Sequence, residues 1–194
     1  MKMLITGGNR GLGKYLTETF DAHSISRANG FDITKDHAAI AEMSLQYDVF
    51  VNNAFDGPPQ EAWANFGQVN VLEAVYDEWS KNNKIGYIFN IGSVGEKQVV
   101  AREPSFETYR VAKAALSHAS RQCTASFKAN KVLFKTTLIT LDRLDTELSR
   151  SRPTWTGNGV NLNDISNFIK YAQNLDSNTC IEEITFYCNL DYKA

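Results

Sequence analysis

The sequence predicts a doubly wound α/β domain, in which a parallel sheet carries helices on both faces. Three observations predict it. Short apolar runs alternate with segments of helical periodicity along the whole chain, the pattern of a parallel sheet with crossover helices. The run at 47–51 is apolar but for Asp48, as expected of a strand covered on both faces, and 85–91 reads as the next buried strand. A glycine-rich turn, Gly7-Gly8-Asn9-Arg10-Gly11-Leu12-Gly13, joins the first such run to the first helical segment.

The elements follow in order. Residues 2–6 read as a strand and 11–20 as a helix, with Leu12, Tyr15, Leu16 and Phe20 at helical spacing. A brief second strand is expected at 23–26. A very short third is expected within Gly30-Phe31-Asp32-Ile33-Thr34, with Thr34 placed to cap a helix over 35–45. The run 47–51 is the fourth strand. Asp56-Gly57-Pro58-Pro59 has the chemistry of a loop, and a long helix over 63–81 follows, striped by Phe66, Val69, Leu72, Val75 and Trp79. Strand 85–91, helix 106–128 and the β-branched strand 132–141 continue the alternation. The polar segment 149–163, with Pro153, Gly157 and Gly159, reads as a substrate loop or lid. Helix 164–174 and strand 181–188 close the chain.

Composition narrows the function. The 194 residues suit one domain spanning 1–194, and 43% hydrophobic with 22% charged residues is globular. A net charge of -2 without basic runs argues against nucleic acid as a partner. No apolar run approaches the roughly 18 residues of a membrane span, and Thr6-Gly7-Gly8 breaks the opening run too early for a secretory signal. Three cysteines without C-x-x-C, and histidines 23, 37 and 118 without ligand spacing, predict neither disulfides nor a metal. The expectation is a soluble, cytoplasmic protein. Glu182-Glu183 reads as a solvated pair at a strand start, and Trp155 as either ordinary packing or a cap over substrate.

Ligands of such sheets bind beyond the carboxyl ends of the strands. At the first end, the G-x-x-x-G-x-G turn lets the backbone approach a pyrophosphate seated on a helix N-terminus. Asn52-Asn53-Ala54 ends the fourth strand, and Asn90-Ile91-Gly92-Ser93 the fifth. Tyr109 and Lys113, four residues apart, share one helix face. Tyrosine is a poor base at its ordinary pKa of about 10, and a neighbouring ammonium lowers it.

In this order and over residues 3–187, these motifs resemble the short-chain dehydrogenase/reductase family, which has a Rossmann-like fold. The resemblance implies Tyr109 as general acid/base and Ser93 as the group orienting the substrate oxygen. It implies Lys113 as the residue that lowers the Tyr109 pKa and binds the nicotinamide ribose, and Asn70 as the helical asparagine holding a relay water. Gly7, Asn9, Arg10, Gly11, Leu12 and Gly13 would form the phosphate turn. Asp32 and Ile33 would meet adenine, Asn53 and Ala54 the adenosine ribose, and Thr146 the carboxamide. NAD-preferring relatives carry an acid at the end of the second strand, where this chain has Ser24-Ile25-Ser26-Arg27. With Arg10 and Arg27 placed to meet a 2′-phosphate, the cofactor expected is NADP in preference to NAD. The substrate expected is a small carbonyl or alcohol compound. A homodimer or homotetramer is expected through helices 63–81 and 106–128, whose Val71, Tyr76, Val111 and Leu116 exceed a single stripe.

Three departures stand out. Phe55 replaces the glycine that ends the family's Asn-Asn-Ala-Gly, Leu141-Asp142 replaces a Pro-Gly pair, and the chain is shorter than most members. Two other readings remain, a nucleotide-sugar-modifying relative and a dinucleotide-sensing regulator without turnover.

Overall fold

A computed structural model describes residues 1–55, 66–97, 104–153, 155 and 157–189, with backbone alone at 104–107. Six strands form one sheet: β1 (Met3–Thr6), β2 (His23–Ile25), β3 (Val49–Asn52), β4 (Tyr87–Ile91), β5 (Lys135–Leu141) and β6 (Glu183–Phe186). Their spatial order is β2-β1-β3-β4-β5-β6, and every pairing is parallel. The helices are α1 (Gly11–Phe20), α2 (His37–Ser44), α3 (Gly67–Lys81), α4 (Pro104–Lys128), α5 (Glu147–Arg150) and α6 (Leu162–Gln173).

Alternation along each strand divides the core into two layers. Ile5, Val51 and Phe89 pack with Leu16 of α1 and Ile165 and Ile169 of α6. Their neighbours Leu4, Phe50 and Ile88 point the other way, to Ile40 of α2, Leu72 and Trp79 of α3, and Leu116 of α4. Trp79 also donates its indole N–H to Ser44 Oγ at 2.7 Å, joining α3 to α2. Both faces of the sheet are therefore covered. The chain runs outward from β1 to β2, then crosses back to β3 on the other side of β1. That reversal opens a crevice between the ends of β1 and β3, where such sheets bind ligands.

Several expectations are corrected. The third strand does not form, because the Asp32 carboxylate captures the Thr34 amide at 2.9 Å and the Thr34 hydroxyl at 2.7 Å. This turn also removes Thr34 from capping, and α2 starts at His37 with Asp36 as N-cap. Residues 63–65 and the 56–61 loop lie outside the described residues, and α3 begins at Gly67. The 149–163 segment is not all loop, since it contains the end of α5, and α6 begins inside it at Leu162. Val71 and Leu116 are fully buried in the core, and Tyr76 packs edge-on against Phe134. Of the residues expected to face a partner chain, only Val111, at 36% exposure, is open.

Candidate active site

The glycine turn is set by sterics. Gly7 and Gly11 adopt φ of 77° and 55°, and a Cβ on Gly13 would lie 2.1 Å from the Gly7 carbonyl oxygen. The N-cap of α1, Arg10, makes no side-chain capping bond, and the first turn carries no acid. Its open amides and the positive end of the helix dipole thus border the cavity with nothing anionic on them. A Cβ on Gly11 would meet only Thr146 Cγ2, at 3.9 Å. This cradle fits the diphosphate of a dinucleotide. Leu12 contributes backbone here, its side chain lying in the core. Asn9 donates to Ser26 Oγ at 2.8 Å, tying the turn to the short 3-10 segment Arg27–Asn29. The two Thr34 bonds hold the Asp32 carboxyl below its ordinary pKa, helped by the charges of Arg27 and Lys35.

The floor of the crevice is a network of buried polar bonds. Thr6 Oγ1 accepts from the Asn53 and Ala54 amides, both at 2.9 Å, and the Asn53 side chain donates to the Thr6 carbonyl at 2.9 Å. Asn53 therefore clamps β3 to β1. Asn52 donates to the Gln68 carbonyl at 2.8 Å and to Asn90 Oδ1 at 3.0 Å. Gln68, 5% exposed, returns a bond to the Asn52 carbonyl at 2.9 Å. Its Oε1 accepts from Lys113 Nζ at 2.7 Å, and the same ammonium donates to the Ile91 carbonyl at 2.8 Å.

Tyr109 and Lys113 lie on one face of α4, as their spacing predicts. Lys113 Nζ sits 5.7 Å from the Tyr109 ring centre and 5.3 Å from that of Phe55, and the two rings meet edge-to-face at 5.0 Å. Phe55 thus fills space beside the ammonium. Burial pushes the Lys113 pKa down to about 7, partly offset by the charge of Glu96. Burial, with a smaller contribution from the charge of Glu96, holds the Tyr109 hydroxyl above its ordinary value, opposed by its bond to Ser93 and the charge of Arg152. Ser93 Oγ also accepts from the Gly95 amide at 3.2 Å.

One cavity of about 1050 Å³ gathers the sequence-predicted residues. Gly7, Asn9, Arg10, Gly11, Leu12, Gly13, Arg27, Asp32, Ile33, Asn53, Ala54, Ser93, Tyr109, Lys113 and Thr146 all line it. Asn70 does not: it is exposed on α3, and the helix residue that reaches Lys113 is Gln68, two positions earlier. Sequence reasoning passed over Gln68 because an isolated glutamine carries no motif. Its only local signal is a polar residue beside the apolar stripe. Thr146 caps α5 by accepting from the Ser149 amide at 3.2 Å, which sets that helix opposite the glycine turn. At the substituted Leu141-Asp142 pair, the Asp142 amide donates to the Phe186 carbonyl at 3.0 Å, pinning this loop to β6. Behind the cavity, Glu183 is not a solvated carboxylate. Burial raises its pKa, but bonds from Lys97 at 2.7 Å and Arg121 at 2.8 Å outweigh that and bring it to about 2. Among the described residues, no cluster of His, Cys, Asp or Glu suits a metal and no helix is long and apolar enough to cross a membrane.

No protein-family profile and no curated protein sequence matches the chain. Solved structures do match it. A β-ketoacyl-[ACP] reductase of Bacteroides thetaiotaomicron superposes with a TM-score of 0.71 at 20% identity, covering 97% of each chain. A short chain dehydrogenase of Burkholderia cenocepacia J2315, in complex with NADP, gives 0.69 at 21% identity over 95% of this chain and 89% of its own. A 3-alpha-hydroxysteroid dehydrogenase of Pseudomonas sp. B-0831, complexed with NADH, gives 0.72 at 14% identity over 95% of each. The fold is the one these dehydrogenases and reductases share.

Proposed function

We propose that this chain is an NADP-dependent oxidoreductase of the short-chain dehydrogenase/reductase type, exchanging hydride between a nicotinamide and a carbonyl or alcohol carbon. One observation carries the reading. The Ser93-bonded Tyr109 hydroxyl and the open amides of α1 line the same cavity. A bound nicotinamide supplies or accepts the hydride, and the remaining tasks fall to the chain. Ser93 holds the substrate oxygen, and Tyr109 donates a proton to it as the carbonyl becomes an alcohol. Lys113 supports the resulting phenolate and is held in turn by Gln68. Arg10, Arg27 and Ser26, which line the cavity, would answer a 2′-phosphate, with no acid at the end of β2 to repel it. NADP should exceed NAD by at least about tenfold in kcat/KM, or about 1.4 kcal/mol. Assembly through α3 and α4 belongs to the same proposal, and a monomeric mass by light scattering would remove it.

A second reading, a dinucleotide-sensing regulator, is favoured by the Phe55 ring lying against Lys113 and by the inward bonds of Lys113 to Gln68 and the Ile91 carbonyl. One experiment separates the two. Ketones, aldehydes and sugars are screened for oxidation of NADPH, and Tyr109→Phe is compared on any compound turned over. The oxidoreductase reading expects turnover that falls at least 10²-fold in the variant while NADP affinity stays within about twofold. Cofactor binding with no turnover of any compound would favour the regulator.

A further inference from the structure

The two ends of the cavity differ in what their charge can be answered by. Five of the chain's eight arginines line it, Arg10, Arg27, Arg110, Arg143 and Arg152, against two acids among the described residues, Asp32 and Asp142. The phosphates of a dinucleotide account for Arg10 and Arg27, which border the glycine turn. They do not account for the rest. Arg110 follows Tyr109 on α4, and its stem flanks the reacting groups. A Cβ on Gly95 would lie 3.4 Å from Ser93 Oγ, 3.7 Å from Tyr109 Cε1 and 4.0 Å from Arg110 Cγ. Arg152 lies close enough for its charge to act on the Tyr109 hydroxyl.

The carboxylates nearby do not cancel this field. Asp142 accepts from the Arg143 amide at 2.8 Å and, more weakly, from the Cys188 amide at 3.4 Å. Glu96, whose charge reaches Tyr109 and Lys113, does not line the cavity and is itself answered by Ser117 and the charges of Lys97 and Arg121. A neutral ketone would leave Arg152, whose charge reaches Tyr109, and Arg110 on the same cavity wall without a lining carboxylate of their own among the described residues. An oxyanion supplies the counter-charge, with the charge-assisted and often bidentate geometry that arginine favours.

Building on the oxidoreductase reading, we infer that the substrate is an oxo or hydroxy compound bearing an oxyanion, with its reacting carbon at Ser93 and Tyr109 and its carboxylate or phosphate at Arg110 and Arg152. The test uses matched pairs that share a carbonyl and differ in charge. Pyruvate and acetoacetate are compared with their methyl esters, and dihydroxyacetone phosphate with dihydroxyacetone, for wild type, Arg110→Gln and Arg152→Gln.

The expected result is a kcat/KM at least tenfold higher for the anion than for its neutral partner in one of the two series. That ratio should fall toward one in each variant and shrink as salt is added. The series that shows the preference identifies the oxyanion as carboxylate or phosphate. Ratios near one in both series, with the wild type active, would overturn the inference and leave the oxidoreductase reading standing. Should no compound be turned over, calorimetry of the same anions against the NADP-loaded protein decides. Binding that is lost in the Arg110→Gln/Arg152→Gln double variant would uphold the oxyanion site while the oxidoreductase reading fails. No binding would overturn the inference.

Discussion

The floor of the cavity and its rim are built by different rules. On the floor, Asn52, Asn53, Gln68 and Lys113 bond to backbone carbonyls or to each other, away from water. Most positions there are held by the need to satisfy their neighbours, since a buried polar group without a partner costs about 1–3 kcal/mol, and the Asn52 Oδ1 atom is the exception. On the rim, Arg10 and Arg152 are exposed, and their placement depends on little beyond the turn that carries them. The comparison teaches that a floor substitution disturbs fold and chemistry together. A rim substitution should change ligand preference and leave the fold alone.

The largest break is expected at Gly13. Gly13→Val sets a branched side chain against the Gly7 carbonyl, with a first contact of 2.1 Å that only backbone movement relieves. Stability should fall by about 3 kcal/mol or more, measured by urea midpoint, and dinucleotide binding should be lost. A variant that keeps both would show that the turn is looser than its φ values imply.

Lys113 tests the floor through pH. Its pKa is about 7 in the folded chain against an ordinary 10.5. The burial penalty is therefore full below pH 7 and is relieved as pH rises from 7 toward 10.5. Cys123, pushed up to about 12 from 9.0, withdraws stability only above pH 9 and leaves the lower window clear. Wild type should gain up to about 2 kcal/mol between pH 7 and 9, and Lys113→Met should stay nearly flat over the same range. Parallel curves would mean that Lys113 stays charged in the fold.

Gln68 and Asn70 sharpen the comparison within one helix. Gln68→Leu removes one of the two Lys113 acceptors, and kcat should fall about tenfold, near 1.4 kcal/mol. Gln68→Glu keeps an acceptor and adds a negative charge, so the Lys113-dependent limb of the pH profile should move upward. Asn70→Ala should change kcat by less than about twofold on this geometry, because its side chain points to solvent. A larger loss at Asn70 than at Gln68 would restore the asparagine to the relay.

The smallest effect on the fold belongs to the rim. Arg27→Ala should weaken NADP by about tenfold and leave NAD almost unchanged, with unfolding stability within about 0.5 kcal/mol of wild type. Equal losses for both cofactors would show that Arg27 does not read the phosphate.

Much of this architecture was legible in the sequence because a parallel sheet buried on both faces writes itself as apolar runs. Runs such as 47–51 and 85–91 admit few other readings. The missing third strand was not legible, since Phe31, Ile33 and Thr34 have strand propensity, and it is the Asp32 and Asp36 side chains that turn the chain aside. The glycine turn, Ser93, Tyr109 and Lys113 could be read because each sits in a short motif at a strand end or on one helix face. Gln68 could not, because its role exists only once β3, β4 and α4 converge on it. The inward setting of Lys113 was hidden for the same reason.

The segment that follows β5 is anchored at both ends. Asp142 is bonded to Phe186 of β6, and Leu144 forms a parallel bridge with Val160, directly before the Asn161 cap of α6. Residues 145–159 therefore span two points whose separation the sheet and α6 dictate, whatever lies between them. Such an insert behaves as an interchangeable cassette. Sequences of different length and polarity should be accommodated beyond the Thr146 cap with the Leu144 and Val160 anchors kept, so that what the cavity accepts can change without renegotiating the scaffold.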